Sequence, residues 1–169
     1  ALRKNGIAEG ILRAHKDGSM IVGICGGYQI LGQMLYDPTG IESPIKEQKG
    51  LGLLDTETTF NEKKTTTQAV AKRNNYILKG YEIHMGTTKR GLNSTPFSTI
   101  QETNGQPENR EDGAVSTDGT VIGTYLHGIF DNPYWTRHLL NQLRVAKGMA
   151  PLVDTTVSIS GYKDQQYEK

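Results

Sequence analysis

The feature that most constrains the fold is a glycine-flanked cysteine at the end of an apolar run. Residues 20–24 are continuously apolar and include β-branched side chains, which predicts a short strand buried on both faces, as in a parallel sheet. Cys25 follows at once, with glycine two residues before it and at both positions after it. Apolar side chains then recur at helical spacing over residues 28–36. This order predicts a nucleophile elbow, a tight strand-to-helix turn that holds Cys25 in strained backbone angles.

Such an elbow would give Cys25 a chemical role. It would raise the sulfur clear of the sheet and set it at the N-terminus of the following helix, whose dipole favours a thiolate. The backbone N–H of Gly26 would point into the same space and could donate to an oxyanion. By composition a lone cysteine is more often a small core residue, and it is the surrounding glycines that favour the interpretation as a nucleophile.

The order of elements along the chain predicts an α/β core with an antiparallel insertion. An amphipathic pattern predicts a helix over residues 2–15, and a second apolar run predicts a strand over residues 120–126. Asn132 and Pro133 predict the N-cap and first turn of a final helix. The buried face of that helix is predicted to carry Trp135, Leu139, Leu140, Leu143 and Val145.

The middle of the chain differs in composition from its two ends. Three stretches rich in Thr, Val, Ile and Tyr predict antiparallel strands or hairpins, at residues 53–60, 65–73 and 76–85. Residues 93–113 are rich in Gly, Pro, Asn and Glu, which predicts an exposed loop with one strand near residues 97–100. Residues 1–150 are therefore predicted to form one domain, followed by a polar, loosely held tail over residues 151–169.

A thiol nucleophile needs a neighbouring group to carry its proton, and two of the four histidines are placed for that role. His127 directly follows the predicted strand 120–126, and catalytic groups gather at the carboxyl ends of strands in a parallel sheet. His84, also at a predicted strand end, is the second candidate. For both, a structural role stays open at this point, whereas His15 and His138 lie on predicted helices without a partner pattern.

Composition and charge argue against several other classes of protein. The 19 basic and 18 acidic residues leave a net charge of +1, so no cationic field would attract nucleic acid or a membrane surface. No apolar run reaches the roughly 20 residues of a membrane-spanning helix. One cysteine cannot form an internal disulfide, so we expect a cytoplasmic protein. The histidines and the cysteine match no metal-binding pattern, so we expect neither a metal nor a cofactor in this domain.

Three segments carry a resemblance to a known family. They are residues 23–32 (GICGGYQILG), residues 80–86 (GYEIHMG) and residues 123–131 (GTYLHGIFD), in that order. Together they resemble the C-terminal glutaminase domain of the cobyric acid synthase family, a branch of the class I, or triad-type, glutamine amidotransferases. The first segment alone would indicate only class I, and the other two make the resemblance specific. It covers nearly the whole chain and implies a flavodoxin-like, mostly parallel sheet flanked by helices, with an antiparallel insertion.

The resemblance implies a role for each matching residue. Cys25 would attack the side-chain amide of glutamine and form a glutamyl thioester, with His127 carrying the proton. Gly26 would supply an oxyanion N–H, and Gln29 and His84 would belong to the substrate site. The ammonia would pass to an N-terminal synthetase domain of the same protein. That domain would use ATP and Mg²⁺ to amidate the side-chain carboxylates of a corrinoid in cobalamin biosynthesis.

Two departures from the family pattern accompany the resemblance. Most class I enzymes carry His-x-Glu, with the glutamate orienting the imidazole, whereas here Ile129 stands two residues after His127. Our hypothesis is that Glu82, at a strand end, takes the place of that glutamate. The family's domain also begins earlier and ends later, so we expect a chain trimmed at both ends and lacking one oxyanion donor. Because losing one donor costs about 10²–10³ in rate, we expect negligible glutaminase activity from the chain in isolation.

Three other functions stay open. The chain could be the glutaminase of a related amidotransferase, such as cobyrinate a,c-diamide synthase or the enzyme that amidates peptidoglycan precursors. It could be a catalytically silent docking module, although the retained Cys25 argues against silence. A cysteine-bearing α/β-hydrolase would need an acidic residue and then a histidine after the nucleophile. Asp118 and His127 have that order, but the predicted sheet is too small for that fold.

Overall fold

The computed structural model of the protein describes residues 5–153, so the start of the predicted first helix and most of the predicted tail lie outside the described residues. The helices are α1 Ile7–Lys16, α2 Gly26–Leu31 and α3 Pro133–Ala146, with a 3-10 helix at Ile129–Asp131. The strands are β1 Ile21–Ile24, β2 Met34–Tyr36, β3 Glu47–Lys49, β4 Thr56–Arg73, β5 Tyr76–Arg90, β6 Ser94–Thr95, β7 Ser98–Thr103, β8 Gln106–Asp112, β9 Ala114–Ser116, β10 Val121–Thr124 and β11 Leu126–His127. None of the helices in this part of the chain has the length and apolar character needed to cross a membrane.

The strands form two sheets. The first has the order β1-β10-β9-β6, and the second has the order β11-β5-β4-β2-β3, with the β7–β8 hairpin attached through β4. Parallel pairing joins β1 to β10 and β2 to β4, and the other described pairs are antiparallel. The predicted α/β class is confirmed. The sheets are not mostly parallel as the resemblance implied, because antiparallel pairs predominate among the described strands.

The chain passes from the first sheet to the second at Tyr125, which separates β10 from β11. Asp112, at the end of β8, fixes this crossing from inside the core. Its carboxylate accepts a hydrogen bond from the Tyr125 N–H at 3.1 Å and another from the Thr124 hydroxyl. Burial raises the pKa of Asp112 above its ordinary value, even though both hydrogen bonds favour the charged form.

The strand predicted over residues 20–24 is confirmed as β1, which runs parallel to β10 with Ile21 opposite Val121. The prediction that it is buried on both faces is wrong, because Ile21, Val22 and Ile24 are only partly buried. Among the described residues β1 is the outermost strand of its sheet, so one side of it has no neighbouring strand to cover it.

Glycines let α2 lie directly on the strands beneath it. A Cβ added at Gly23 would overlap the Leu31 side chain and the backbone of Gly27. A Cβ added at Gly123 would overlap the Tyr28 ring. Because both strands lack side chains at these points, Tyr28 and Leu31 reach the core, where they are 2% and 3% exposed. The close packing of α2 on these two strands therefore fixes the position of the elbow above the first sheet.

The helix predicted over residues 28–36 is wrong in its second half. Helix α2 ends at Leu31, and Gly32 takes an extended conformation with φ −69° and ψ −176°. The Gln33 N–H then donates to the Thr56 carbonyl at 2.8 Å, and Met34–Tyr36 joins β4 as the parallel strand β2. Short apolar runs fit both the helical and the strand period, so spacing alone did not separate the two.

The exposed loop predicted over residues 93–113 is wrong for most of its length, since this region holds three strands. The one strand predicted there, near residues 97–100, is confirmed as part of β7, Ser98–Thr103. Strands β7 and β8 form a hairpin that turns at Asn104 and Gly105, with φ values of 50° and 78°. Positive φ at both central residues is typical of a type I′ turn. Strand β8 is exposed along most of its length and therefore lacks the alternation of apolar residues that would reveal it.

Two strand boundaries in the middle of the chain also differ from the prediction. The break expected at residues 61–64 is a register shift within one continuous strand, β4, between Thr59 and Lys64. Strand β5 continues to Arg90 instead of ending near residue 85. The turn between the two strands lies at residues 74 and 75, as predicted.

Helix α3 starts at Pro133 as predicted, and Trp135 and Leu139 face the core. The prediction that Leu140 and Val145 are buried is wrong, since they are 44% and 59% exposed. The helical period places both on the outer side of a helix that packs on the protein with one face only.

Asn132 precedes α3 but does not cap it through its side chain. The side chain instead bridges to β5, where its Oδ1 accepts from the Lys79 N–H at 2.8 Å and its Nδ2 donates to the Lys79 carbonyl at 3.1 Å. Nδ2 also lies 2.9 Å from the Gly128 carbonyl. Asn132 therefore holds together β5, the start of α3 and the segment that follows β11.

Candidate active site

Cys25 occupies the turn between β1 and α2 with φ 56° and ψ −116°. A positive φ is strained for a residue with a side chain, so the predicted strain at the elbow is present. The Cys25 N–H donates to the Thr124 carbonyl at 2.9 Å, which carries the pairing of β1 and β10 one residue further. The N–H of Gly26 has no acceptor within the helix because Gly26 is its first residue. A Cβ added at Gly26 would meet no atom within 4 Å, so the space on the Cβ side of this residue is open.

The Cys25 thiol reaches from the first sheet to the second. It donates to the carbonyl of Ile83 in β5, with the sulfur 3.2 Å from the oxygen. Cys25 itself is partly exposed. The thiol is thus both accessible and held at a defined point of β5.

His127 approaches the same part of β5 from the neighbouring strand. It stands opposite Tyr81 in the antiparallel pair of β11 and β5. The imidazole lies flat on the Tyr81 ring, with centroids 4.8 Å apart and planes inclined by 4°. Nε2 of His127 is buried and has no hydrogen-bond partner within the described part of the chain. Tyr81 and Ile83 are roughly 7 Å apart along the strand, so the structure brings the thiol and the imidazole to neighbouring positions of β5.

Glu82 points to the opposite face of β5 from His127. It pairs with Leu126 rather than with His127, and side chains alternate between the faces of a strand. Its carboxylate is fully buried and lies 2.6 Å from a guanidinium nitrogen of Arg110 and 3.8 Å from Nε2 of His84. Burial would raise the pKa of Glu82, but hydrogen bonds from His84 and Arg110 and the positive charge of Arg110 hold it below its ordinary value. The structure does not bring Glu82 to His127, so the hypothesis that it orients this imidazole gains no support from these contacts.

His84 and Gln29 belong to a buried polar network centred on Tyr125. The His84 ring stacks on the Tyr125 ring with centroids 3.7 Å apart. The Gln29 side-chain amide donates to the Tyr125 hydroxyl at 3.2 Å and to the Met85 carbonyl at 3.0 Å. Gln29 is only 7% exposed. Both predicted substrate-site residues therefore lie just behind the elbow, where their contacts tie α2 to β5.

A cleft of about 910 Å³ opens on this second face of β5. It is lined by His84, Arg110, Asp112 and Tyr125, together with threonines of β4 and β5. Neither Cys25 nor His127 is among its lining residues, so this cleft and the thiol lie on different sides of the strand. Within residues 5–153, no three side chains of His, Cys, Asp or Glu come together in a way that could hold a metal ion.

Reasoning from the sequence missed three residues that shape this region. Tyr81 lies inside a quoted segment, but nothing in the pattern indicated that its ring covers His127. Arg110 lies in the region predicted as loop, and its contact with Glu82 links positions 28 residues apart. Asp112 also lies in the region predicted as loop. Only the Asn-Gly pair at residues 104 and 105 could have indicated the β7–β8 hairpin, on which Arg110 and Asp112 both lie.

Comparison with known proteins adds the family to this geometry. Residues 1–135 match the model of the CobB/CobQ-like glutamine amidotransferase domain. The chain belongs to this family. The resemblance predicted from the three motifs is therefore confirmed, and Cys25, Glu82, His84 and His127 all lie within the matched residues.

The curated relatives of this CobB/CobQ-like domain point in the same direction. The chain is 51% identical over 168 residues to a cobyric acid synthase of Streptococcus sanguinis, covering 99% of the chain and 34% of that protein. It is 44% identical to one of Alkaliphilus metalliredigens, covering 99% of the chain and 36% of that protein. It is 43% identical to one of Listeria welshimeri, covering 99% and 33%. The chain thus spans about a third of the length of these relatives.

A solved structure supports the fold. A chain in the structure of PurLQS from Thermotoga maritima matches with a TM-score of 0.54 and 20% sequence identity, covering 81% of this chain and 68% of that one. At this level of identity the likeness shows the fold alone. It agrees with the amidotransferase-like α/β class predicted from the sequence.

Proposed function

We propose that this CobB/CobQ-like domain hydrolyses glutamine through Cys25 and releases ammonia for an amidation reaction. The observation that carries the proposal is that a strained, accessible Cys25 and the His127 imidazole both contact β5, at Ile83 and at Tyr81. Strain of this kind persists where the surrounding structure enforces it, and it is common at nucleophiles.

The first half of the proposed reaction forms a thioester. The Cys25 thiol leaves the Ile83 carbonyl and transfers its proton to His127 while the sulfur attacks the amide carbon of glutamine. The Gly26 N–H stabilises the oxyanion that forms. The C–N bond then breaks, and the imidazolium returns its proton to the departing nitrogen, which leaves as ammonia. In the second half, His127 takes a proton from water as the water attacks the thioester. The C–S bond then breaks, and the imidazolium returns the proton to the sulfur, which releases glutamate and restores the free thiol.

We further propose that the ammonia is used on a corrinoid, as in the cobyric acid synthases that the chain resembles. A synthetase part of the whole protein would activate the acceptor carboxylates with ATP and Mg²⁺, and none of the residues described here is assigned to those ligands. The high identity to proteins of that name favours this acceptor over those of cobyrinate a,c-diamide synthase or of peptidoglycan-precursor amidation. A comparison of the three acceptors with the intact protein, ATP and glutamine tests this choice.

The role of Cys25 is tested by labelling with a diazo-ketone analogue of glutamine. The intact protein is treated with the analogue, digested and mapped by mass spectrometry, and Cys25 is the chain's one cysteine. We expect modification of Cys25, protection by added glutamine, and no detectable glutaminase activity in Cys25→Ala. Absence of labelling in a folded, intact protein would contradict the proposal and favour a docking module without catalysis.

A further inference from the structure

The proposed base has no carboxylate at the position where class I enzymes usually carry one. Two residues after His127 stands Ile129, which is 1% exposed and packs in the core with Leu126 and Trp135. The nearby Glu82 lies on the other face of β5 and is engaged with Arg110 and His84. The question is therefore what holds the imidazole of His127 in place.

One contact of this imidazole is with the face of the Tyr81 ring. The two ring planes are nearly parallel and the ring centroids are 4.8 Å apart, within the range in which aromatic rings attract each other and in which a cation is attracted to a ring face. A stack of this kind fixes the plane of the imidazole while leaving its nitrogens free. Nε2 of His127 is indeed buried without a hydrogen-bond partner within residues 5–153.

The backbone around Tyr81 is fixed from both sides, so its ring can serve as a support. On one side, Asn132 forms two hydrogen bonds with the backbone of Lys79. At Gly80 the strands approach so closely that an added Cβ would overlap the His127 carbonyl. On the other side, the Ile83 carbonyl receives the Cys25 thiol. The ring that stacks on the proposed base and the carbonyl that accepts the thiol hydrogen bond thus lie within five consecutive residues of β5, residues 79–83.

We propose that Tyr81 is the positioning residue of the base, and that stacking on its ring replaces the missing carboxylate. The inference rests on the proposed function of Cys25 and His127. During thiol deprotonation the imidazole becomes an imidazolium, and the ring face both keeps it in plane and stabilises its charge. The Tyr81 hydroxyl takes no part in this role.

The test measures glutamine hydrolysis by the intact protein in four forms: unaltered, Tyr81→Leu, Tyr81→Phe and Tyr134→Leu. Tyr81→Leu removes the ring face, and we expect kcat to fall roughly 10- to 100-fold, because small misplacements of a catalytic group have costs of this size. The KM for glutamine should change by less than about twofold, because the proposed role of Tyr81 is to hold the base and not the substrate. Tyr81→Phe keeps the face and should retain kcat within about threefold.

Tyr134 provides the matched control, because it is an exposed tyrosine on α3 with no part in the site. Tyr134→Leu should leave both kinetic constants unchanged, and thermal unfolding of all variants shows whether each is folded. A Tyr81→Leu protein with full kcat would overturn the proposal, as would a Tyr81→Phe protein as impaired as Tyr81→Leu. If the unaltered protein neither hydrolyses glutamine nor reacts with the diazo-ketone, the proposed function itself fails, which is a separate result.

Discussion

At the scale of single residues, the proposed nucleophile Cys25 has a strained backbone. Asn74 and Asn104 are the other described non-glycine residues with positive φ, and both lie in turns, where asparagine tolerates this conformation. Cys25 is instead followed by a helix and packed over a sheet, so its strain is imposed by the surrounding elements. Such strain lowers stability and is retained where the position of the side chain matters.

We predict that Cys25→Gly is more stable than Cys25→Ala by about 1 kcal/mol. Glycine adopts a φ of 56° without strain, whereas alanine keeps the strain, and the greater freedom of glycine in the unfolded chain offsets part of the gain. Urea denaturation of both variants measures the difference, and both should lack glutaminase activity. Equal stability of the two variants would mean that the elbow is not strained.

At the scale of elements, β5 organises the site. Its outer face carries Tyr81 under His127, its backbone at Ile83 meets the thiol, and its inner face carries Glu82 and His84. The close approach of β5 and β11 depends on Gly80, where an added Cβ would overlap the His127 carbonyl.

We predict that Gly80→Ala moves β11 away from β5. The variant should lose about 1–3 kcal/mol of stability, as overpacked sites do, and should react more slowly with the diazo-ketone because His127 moves with its strand. Gly10→Ala is the matched control, since Gly10 lies within α1 and an added Cβ there meets no atom within 4 Å. That change should leave labelling intact and stabilise the helix by up to about 1 kcal/mol. Full labelling of Gly80→Ala would contradict this account of the strand pair.

How much could be predicted from sequence follows from how local each feature is. The strand, Cys25 and start of α2 were predicted because a few adjacent residues determine that turn. The second half of the helix over residues 28–36 was wrong because pairing with β4, more than 20 residues further along the chain, decided the conformation. The partner of Glu82 was missed because Arg110 lies on an exposed strand without apolar alternation. Contacts between distant, polar strands leave no periodic signal in one sequence.

At the scale of the whole molecule, the two sheets are joined at a buried carboxylate. Asp112 holds the crossing from β10 to β11 through Thr124 and Tyr125. Burial raises its pKa, whereas hydrogen bonds and charge lower that of the nearby Glu82. The two carboxylates therefore affect stability in opposite directions as the pH changes.

We predict that Asp112→Asn gains stability relative to the unaltered protein as the pH rises. The folded-state pKa of Asp112 lies above its ordinary value of 3.8. The stability that this shift contributes is therefore fully present below pH 3.8 and is lost as the pH rises through the folded-state pKa. Chemical denaturation at about pH 4 and about pH 8 should show a change on the order of 1 kcal/mol in favour of the variant. A difference that does not vary with pH would contradict the assigned burial effect.

Glu82→Gln should show the opposite dependence on pH. The folded-state pKa of Glu82 lies below its ordinary value of 4.5, so its stabilising contribution is present above that value and is lost as the pH falls through the folded pKa. The variant should be less stable than the unaltered protein by about 1–3 kcal/mol near pH 7, because Arg110 loses its partner. The difference in stability between the variant and the unaltered protein should become smaller in acid. A difference that stays constant with pH would argue against the ion pair as its cause.

The division between the two sheets has a mechanical consequence. The nucleophile ends a strand of one sheet and the base lies on a strand of the other, so their separation depends on the angle between the sheets rather than on either sheet alone. The crossing at Tyr125 is one of the places where the chain passes from one sheet to the other. A neighbouring domain that shifted one sheet relative to the other would therefore change the distance between the Cys25 sulfur and the His127 imidazole without any substitution in the site.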